Sequence, residues 1–317
     1  MRAWQYVGAG QPITLNEIDE PTASAGEVAI TVQAVGLCHS DVGILEGVIP
    51  EPILGQVPQT LGHEVAGIVS AVGEGVTKFK EGDRVAFHMG ADGPGMGIPG
   101  GYARVCVAPE NLVVPVPDEV PFTAAAAATD AGMTPYHAIH SAGEVKEGDR
   151  VVIIGLGGLG FNGLQVALGL GAEVWAVDPR EEVHAKALEL GAKEVVTDIS
   201  EFAGHDFDAA FDFAGFGTTT AGAVGAVRPG GRIVLVGVGR NETTLSTPGF
   251  IQNEITLRGS AGGTNEDLEG YLGLVAEGKV RPVVSTIKFE EIKDGLERVA
   301  AGKVTGRLVA DLAEHTN

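Results

Sequence analysis

Residues 149–178 read DRVVIIGLGGLGFNGLQVALGLGAEVWAVD. From Val151 to Ala172 the run carries no charge and is long enough to span a bilayer. Seven glycines, Asn162 and Gln165 interrupt it. A strand (DRVVII), a glycine turn, a helix from about Gly158 to Gly169 and a second strand (AEVWAV) account for them better. The turn Gly155-Leu156-Gly157-Gly158-Leu159-Gly160 fits G-x-G-x-x-G, and the second strand ends in Asp178, 21 residues after Gly157. That is the dinucleotide-binding arrangement. The glycines let the backbone approach a pyrophosphate, and the helix N-terminus offers N–H donors and a positive dipole end. Asp178 stands where a carboxylate accepts from the adenosine ribose and repels a 2′-phosphate. NAD is therefore expected over NADP, with Arg180 close enough to moderate the preference.

Working outward, the segments after Asp178 keep the same rhythm. REEVHAKALELG reads as a helix, KEVVT and FDAAFDFAG as strands, 218–227 as a short helix, and GRIVLVGVG as a strand. β-Branched strands alternating with helices predict a parallel sheet covered on both faces. The tail holds one helix, FEEIKDGLERVAAGK, and one strand, RLVADL. Before residue 120 the pattern is short strands with glycine turns. GEVAITVQAVGLC (26–38) has Val28, Ile30, Val32 and Ala34 at period two, and HEVAGIVSAVG (63–73) and DRVAFH (83–88) read alike. Residues 90–101 are a Pro/Gly loop, and the alanines of FTAAAAATDAGMTPYHAI predict a helix.

The 317 residues suffice for two domains, and 44% apolar residues suffice for their cores. A net charge of −21 argues against nucleic acid and against anionic membranes as partners. Two cysteines, Cys38 and Cys106, make no disulfide framework, and the N-terminus lacks the apolar core of a signal peptide. A reducing, cytoplasmic setting is expected.

Three short stretches carry residues suited to metal chemistry: Cys38-His39-Ser40-Asp41, Gly62-His63-Glu64, and Asp130 within TDAGMTPYHA. Each is ambiguous alone. A cysteine such as Cys38 is more often a small buried hydrophobe than a ligand, a lone His is usually structural or exposed, and Asp130 suits a helix cap.

Taken together and in order, GLCHSD (36–41), LGHEVAGIV (61–69), EGDRVAF (81–87), TDAGMTPYHAI (129–139), VVIIGLGGLG (151–160), FDFAG (211–215), VLVGVG (234–239) and GKVTGRLV (302–309) resemble the zinc-dependent medium-chain alcohol dehydrogenases. The resemblance spans nearly the whole chain. It implies an α/β protein: a GroES-like, mostly-β catalytic domain over 1–131 and 263–317, and a Rossmann domain with a doubly wound parallel sheet over 132–262. It further implies a catalytic Zn2+ held by Cys38, His63 and Asp130, with Glu64 beside it and Asp41 orienting His63. Many members hold Cys where this chain has Asp130; the Asp form is similar to bacterial secondary-alcohol dehydrogenases. Ser40 would take the substrate hydroxyl proton. Thr134 and the Val236-Gly237-Val238 backbone would meet the nicotinamide, and His39 and Arg307 the pyrophosphate. The implied reaction is reversible hydride transfer between an alcohol and NAD. A homodimer or homotetramer, joined through the last strand of the nucleotide sheet, is implied as well.

The chain departs from the family in two places. Many members carry a structural zinc on four closely spaced cysteines. The corresponding interval here, His88–Gly100, is short and has no cysteine, so no structural zinc is expected and Cys106 reads as core. Some members relay the proton through a His three residues after the serine, where this chain has Gly43. His88 is the other candidate for that relay, although a pocket-wall role suits it better. Two rival readings follow. A zinc-free reductase of activated C=C bonds would share the fold and the missing lobe, but it has no use for the Cys38, His63, Glu64 and Asp130 set. A non-catalytic NAD-binding protein has only fold reuse in its favour.

Overall fold

The computed structural model describes residues 1–313. Two compact units are present. One comprises Met1–Asp130, Thr264–Ala276 and the chain from Val284 onward; the other comprises Ala131–Gly263 and Glu277–Val283. Residues 277–283, expected with the first unit, thus lie with the second. There the Arg281 N–H donates to Gln165 Oε1 at 2.8 Å.

The second unit is built on six parallel strands. Their spatial order is Val195–Val196, Glu173–Val177, Arg150–Ile154, Phe207–Asp212, Val227–Leu235, Thr256–Gly259. Sequence order reverses at Arg150–Ile154, whose neighbours are the second and fourth strands. In open parallel sheets such a switch point is where ligands meet the strand ends. Val151 to Ile154 are fully buried because helices cover the sheet, which is why the strand shows no alternation. The uncharged run of 151–172 resolves into this strand and the helix Gly158–Gly169. No helix among the described residues is long and apolar enough to cross a membrane.

The first unit is mostly β. A three-stranded sheet joins Thr14–Glu17, Arg2–Tyr6 and Gln59–Thr60. A seven-stranded sheet runs Val284–Ile287, Arg307–Asp311, Glu27–Leu37, Glu64–Val72, Arg84–Phe87 and Val113–Pro115, with Val105–Pro109 pairing on Glu27–Leu37. The period-two pattern of 26–38 understates the burial of its strand. Ala29, Gln33 and Val35 are buried as well as Val28, Ile30, Val32 and Ala34. The helix Phe122–Ala127 packs on this strand and on Glu64–Val72, its small Ala124–Ala127 side chains permitting close approach. The helix expected over 122–139 is continuous but irregular, widening into π turns at Ala128–Gly132 and His137–Ala142. Pro135, which has no N–H to donate, lies between them. Turns of this kind recur at functional sites.

Candidate active site

Cys38 follows directly on the strand Glu27–Leu37 and caps the short helix His39–Leu45. The neighbouring strand Glu64–Val72 begins right after His63. The antiparallel register sets Gly36 opposite Glu64, where a Cβ would lie 1.9 Å from Glu64 Oε2. The missing side chain at Gly36 is what gives the Glu64 carboxylate its room. The π turn Ala128–Gly132 supplies Asp130. Three separate stretches thus bring Cys38, His63, Glu64 and Asp130 together, all buried, with one donor atom from each within 4.8 Å of the others.

Inside this cluster Cys38 Sγ donates to Asp130 Oδ2 at 3.2 Å, and Ser40 Oγ donates to Cys38 Sγ at 3.1 Å. His63 Nε2 faces Asp130 Oδ2 at 3.9 Å and Nδ1 faces Asp41 Oδ1 at 3.4 Å, but neither ring nitrogen has a hydrogen-bond partner. Both Glu64 carboxylate oxygens also lack one, although Arg307 Nη2 stands 2.8 Å from Oε1 as an ion pair. Buried polar atoms are ordinarily satisfied. Several orphans facing one another form a ligand set.

That set suits zinc. Thiolate, imidazole and carboxylate are its usual donors, and tetrahedral bonds of about 2.0–2.3 Å place ligand atoms roughly 3.3–3.8 Å apart. The spread seen here needs little contraction to reach that. Charge agrees. With the thiol and both carboxyls ionised, as metal ligation would require, Cys38, Glu64 and Asp130 carry three negative charges against the single positive charge of Arg307, so a divalent cation would balance the site.

The buried groups perturb one another strongly. Burial disfavours a charged His63, but the Asp41 carboxylate overrides it and raises the pKa well above the usual value. Burial lifts the Glu64 carboxyl well above its range despite Arg307. Asp130 goes the other way: burial would raise it, yet His63 and the Arg307 guanidinium hold it far below.

Arg307, which the resemblance assigns to the pyrophosphate, is 5% exposed and donates to Asp130 Oδ2 at 2.9 Å. His39 lies exposed at the start of its helix, and Ser40 is half-buried beside the cluster. His88 is engaged elsewhere, its Nδ1 2.7 Å from Asn265 Oδ1, which suits a wall residue rather than a proton relay.

In the second unit the glycine turn sorts by steric need. Gly155 has φ +90°, and a Cβ on Gly160 would lie 1.7 Å from the Gly155 oxygen. These two serve the fold. Gly157 has nothing within 4 Å of its missing Cβ. The space over it, at the start of a helix that no side chain caps, suits a pyrophosphate passing close to the backbone. Gly158 and Leu159 form the first turn of that helix. Asp178 is buried, and both its oxygens are in use. Oδ2 accepts from Leu156 N at 2.7 Å and Arg180 Nη2 at 3.0 Å; Oδ1 accepts from Arg180 N at 2.9 Å and Nε at 3.0 Å. Thr134 is buried in the helix Met133–Tyr136. Val236 and Gly237 N–H both donate to the Asp212 carbonyl at 3.0 Å, while Val238 is 79% exposed.

Two buried residues escaped the sequence reading. Asp212 accepts from Ala214 N, Gly215 N, Thr219 Oγ1 and Thr220 Oγ1 at 2.7–3.0 Å, pinning the loop that follows its strand. An Asp at the end of the apolar strand in FDAAFDFAG was the available signal. Tyr102 donates to Asp41 Oδ2 at 2.9 Å, and nothing local in GGYARV announces that contact.

Known proteins agree with this arrangement. The family model for the alcohol dehydrogenase GroES-like domain matches residues 24–118, and that for the zinc-binding dehydrogenase domain matches 158–277. An alcohol dehydrogenase of a Moraxella species is 35% identical over 95% of this chain and 96% of its own length. An NAD-dependent alcohol dehydrogenase of Sulfurisphaera tokodaii is 30% identical over 98% of this chain and 99% of its own. Among solved structures, an acetophenone reductase from Geotrichum candidum in complex with NAD superposes with a TM-score of 0.88 at 30% identity, covering 99% and 97% of the two chains. By its fold, its buried donor cluster and these relatives, the chain belongs to the zinc-binding, medium-chain alcohol dehydrogenases.

Proposed function

We propose that this oxidoreductase interconverts secondary alcohols and ketones with NAD, using one zinc held by Cys38, His63 and Asp130. The observation that carries the reading is the buried cluster of donor atoms whose His63 nitrogens have no hydrogen-bond partner. Bound there, zinc supplies a Lewis acid that favours ionisation of an alcohol hydroxyl or polarises a carbonyl. The protein's own groups do the rest. Ser40, hydrogen-bonded to Cys38, takes the hydroxyl proton. Asp41 holds His63 from behind. Arg307 sets its positive charge against the Glu64 and Asp130 carboxylates.

The open space over Gly157 supports a pyrophosphate seat, and Asp178 supports an adenosine ribose. Thr134 and the Val236–Val238 backbone serve the nicotinamide. A ketone substrate is supported by the similarity to the acetophenone reductase. A zinc-free C=C reductase has no use for the donor cluster and is not favoured. The free thiols of Cys38 and Cys106 support a reducing, cytoplasmic setting. Thr256–Gly259 is the edge of the nucleotide sheet with all four residues exposed, which supports pairing with a second copy in a homodimer or homotetramer.

Elemental analysis of the purified protein is expected to find about one zinc per subunit. Cys38→Ala is expected to lose zinc and turnover together while still binding NAD. Full activity in that variant overturns the zinc mechanism. Turnover of 2-alkanols should exceed that of 1-alkanols; the reverse order overturns the substrate class.

A further inference from the structure

The end of the His88–Gly100 interval and the two residues after it are hydrogen-bonded to the turn before His63. Gly100 N donates to Thr60 O at 2.8 Å, Tyr102 N to Leu61 O at 2.9 Å, and Gly101 N to Gly62 O at 2.8 Å. Gly100 lies so close that a Cβ would meet Gly62 O at 2.4 Å. The Tyr102 ring lies against Gly62, whose own Cβ would fall 2.4 Å from Tyr102 Cδ1. At the far end of that ring the hydroxyl, wholly buried, donates to Asp41 Oδ2 at 2.9 Å and faces Gly36 O at 3.3 Å. The same Asp41 oxygen accepts the Cys38 N–H at 3.1 Å, while Oδ1 accepts the Gly62 N–H at 3.4 Å and faces His63 Nδ1.

Resting on the proposed zinc site, we infer that Tyr102 is a positioning residue of the metal centre, acting through Asp41 to hold His63 with Nε2 toward Cys38 and Asp130. The physical reason is rotational. The terminal torsion of an aspartate has a broad, soft profile, and on the Oδ1 side the only backbone bond, from Gly62 N, is long at 3.4 Å. The phenol adds a second bond to Oδ2 at 2.9 Å, which with Cys38 N fixes the carboxylate plane and keeps Oδ1 facing His63 Nδ1 at 3.4 Å. A ring held at Nδ1 presents Nε2 as its ligand atom. Burial and the Asp41 charge raise the Tyr102 pKa well above its ordinary value, so the hydroxyl stays a donor. A plain structural account has a buried tyrosine finding whatever acceptor is near. It predicts a change in folding stability and none in metal retention.

Tyr102→Phe removes the hydroxyl and keeps the ring. Zinc release to a chromogenic chelator is expected to be about tenfold faster, at the lower end of what outer ligand-orienting groups control. The visible spectrum of the cobalt-loaded protein is expected to shift. In an Asp41→Asn background the same substitution is expected to have little further effect, because the path runs through that carboxylate. Unchanged release in Tyr102→Phe, or an equal acceleration with Asp41→Asn present, overturns the inference and leaves the zinc site standing. Absence of zinc from the parent protein overturns both. If Tyr102→Phe loses its cooperative melt, 3-fluorotyrosine at 102 replaces it. As a stronger donor it is expected to slow release, and unchanged release overturns the inference.

Discussion

Asp178, proposed above to meet the adenosine ribose, does not stand alone. Arg180 grips it through Nε and Nη2, drawing its pKa below the usual carboxylate range against the effect of burial. The pair is nearly neutral, so a 2′-phosphate meets less repulsion than a bare carboxylate would offer. Arg180→Ala is expected to raise the NADP Kd relative to that of NAD by roughly tenfold, the effect of one uncompensated charge a few ångströms away near solvent. Calorimetric titration of both cofactors checks this, and an unchanged ratio shows that the guanidinium plays no part in the choice. Asp178→Ala should act in the opposite sense, weakening NAD and improving relative use of NADP.

At the scale of the element, the turn from Arg150–Ile154 into Gly158–Gly169 separates glycines needed by the fold from one left over. Gly160→Ala forces a methyl into the Gly155 carbonyl and is expected to cost about 1–3 kcal/mol in urea denaturation. Gly157→Ala meets nothing in the protein. Its stability should stay within about 0.5 kcal/mol of the parent while NAD binding weakens at least several-fold. Equal NAD affinity in Gly157→Ala would remove the pyrophosphate from that place. The helix Phe122–Ala127 shows a related economy. Its alanines settle closely on two strands, and the π turn that follows carries Asp130 to Cys38 and His63.

Across the whole molecule, each unit has its own apolar core, one around Val28, Val65, Phe87 and Leu308, the other around Val152, Phe207 and Ile233. Thr256–Gly259 is one edge of the nucleotide sheet, with Leu257 36% exposed. Pairing two such edges would satisfy their backbone groups and continue the sheet. Leu257→Lys places like charges at that seam. It is expected to shift the protein toward monomers in sedimentation velocity, with turnover per subunit as a separate readout. A parent protein that sediments as a monomer, or a variant that assembles normally, places any association elsewhere.

The dinucleotide unit was legible in one dimension. A strand, a glycine turn and a helix differ in periodicity, and those periods are properties of neighbouring residues. The glycine spacing and Asp178 followed from the same local reading. The metal residues were present as candidates, but His63 lies 25 residues after Cys38 and Asp130 another 67 beyond. No local rule unites residues so far apart; the resemblance to a family did. The partners of the polar side chains were not legible at all. Arg307 among the carboxylates, Tyr102 behind Asp41 and the Arg180 fork on Asp178 each depend on which surfaces the folded strands bring together. A buried charge or hydroxyl takes whichever partner lies within hydrogen-bond reach, and only the three-dimensional packing sets that reach.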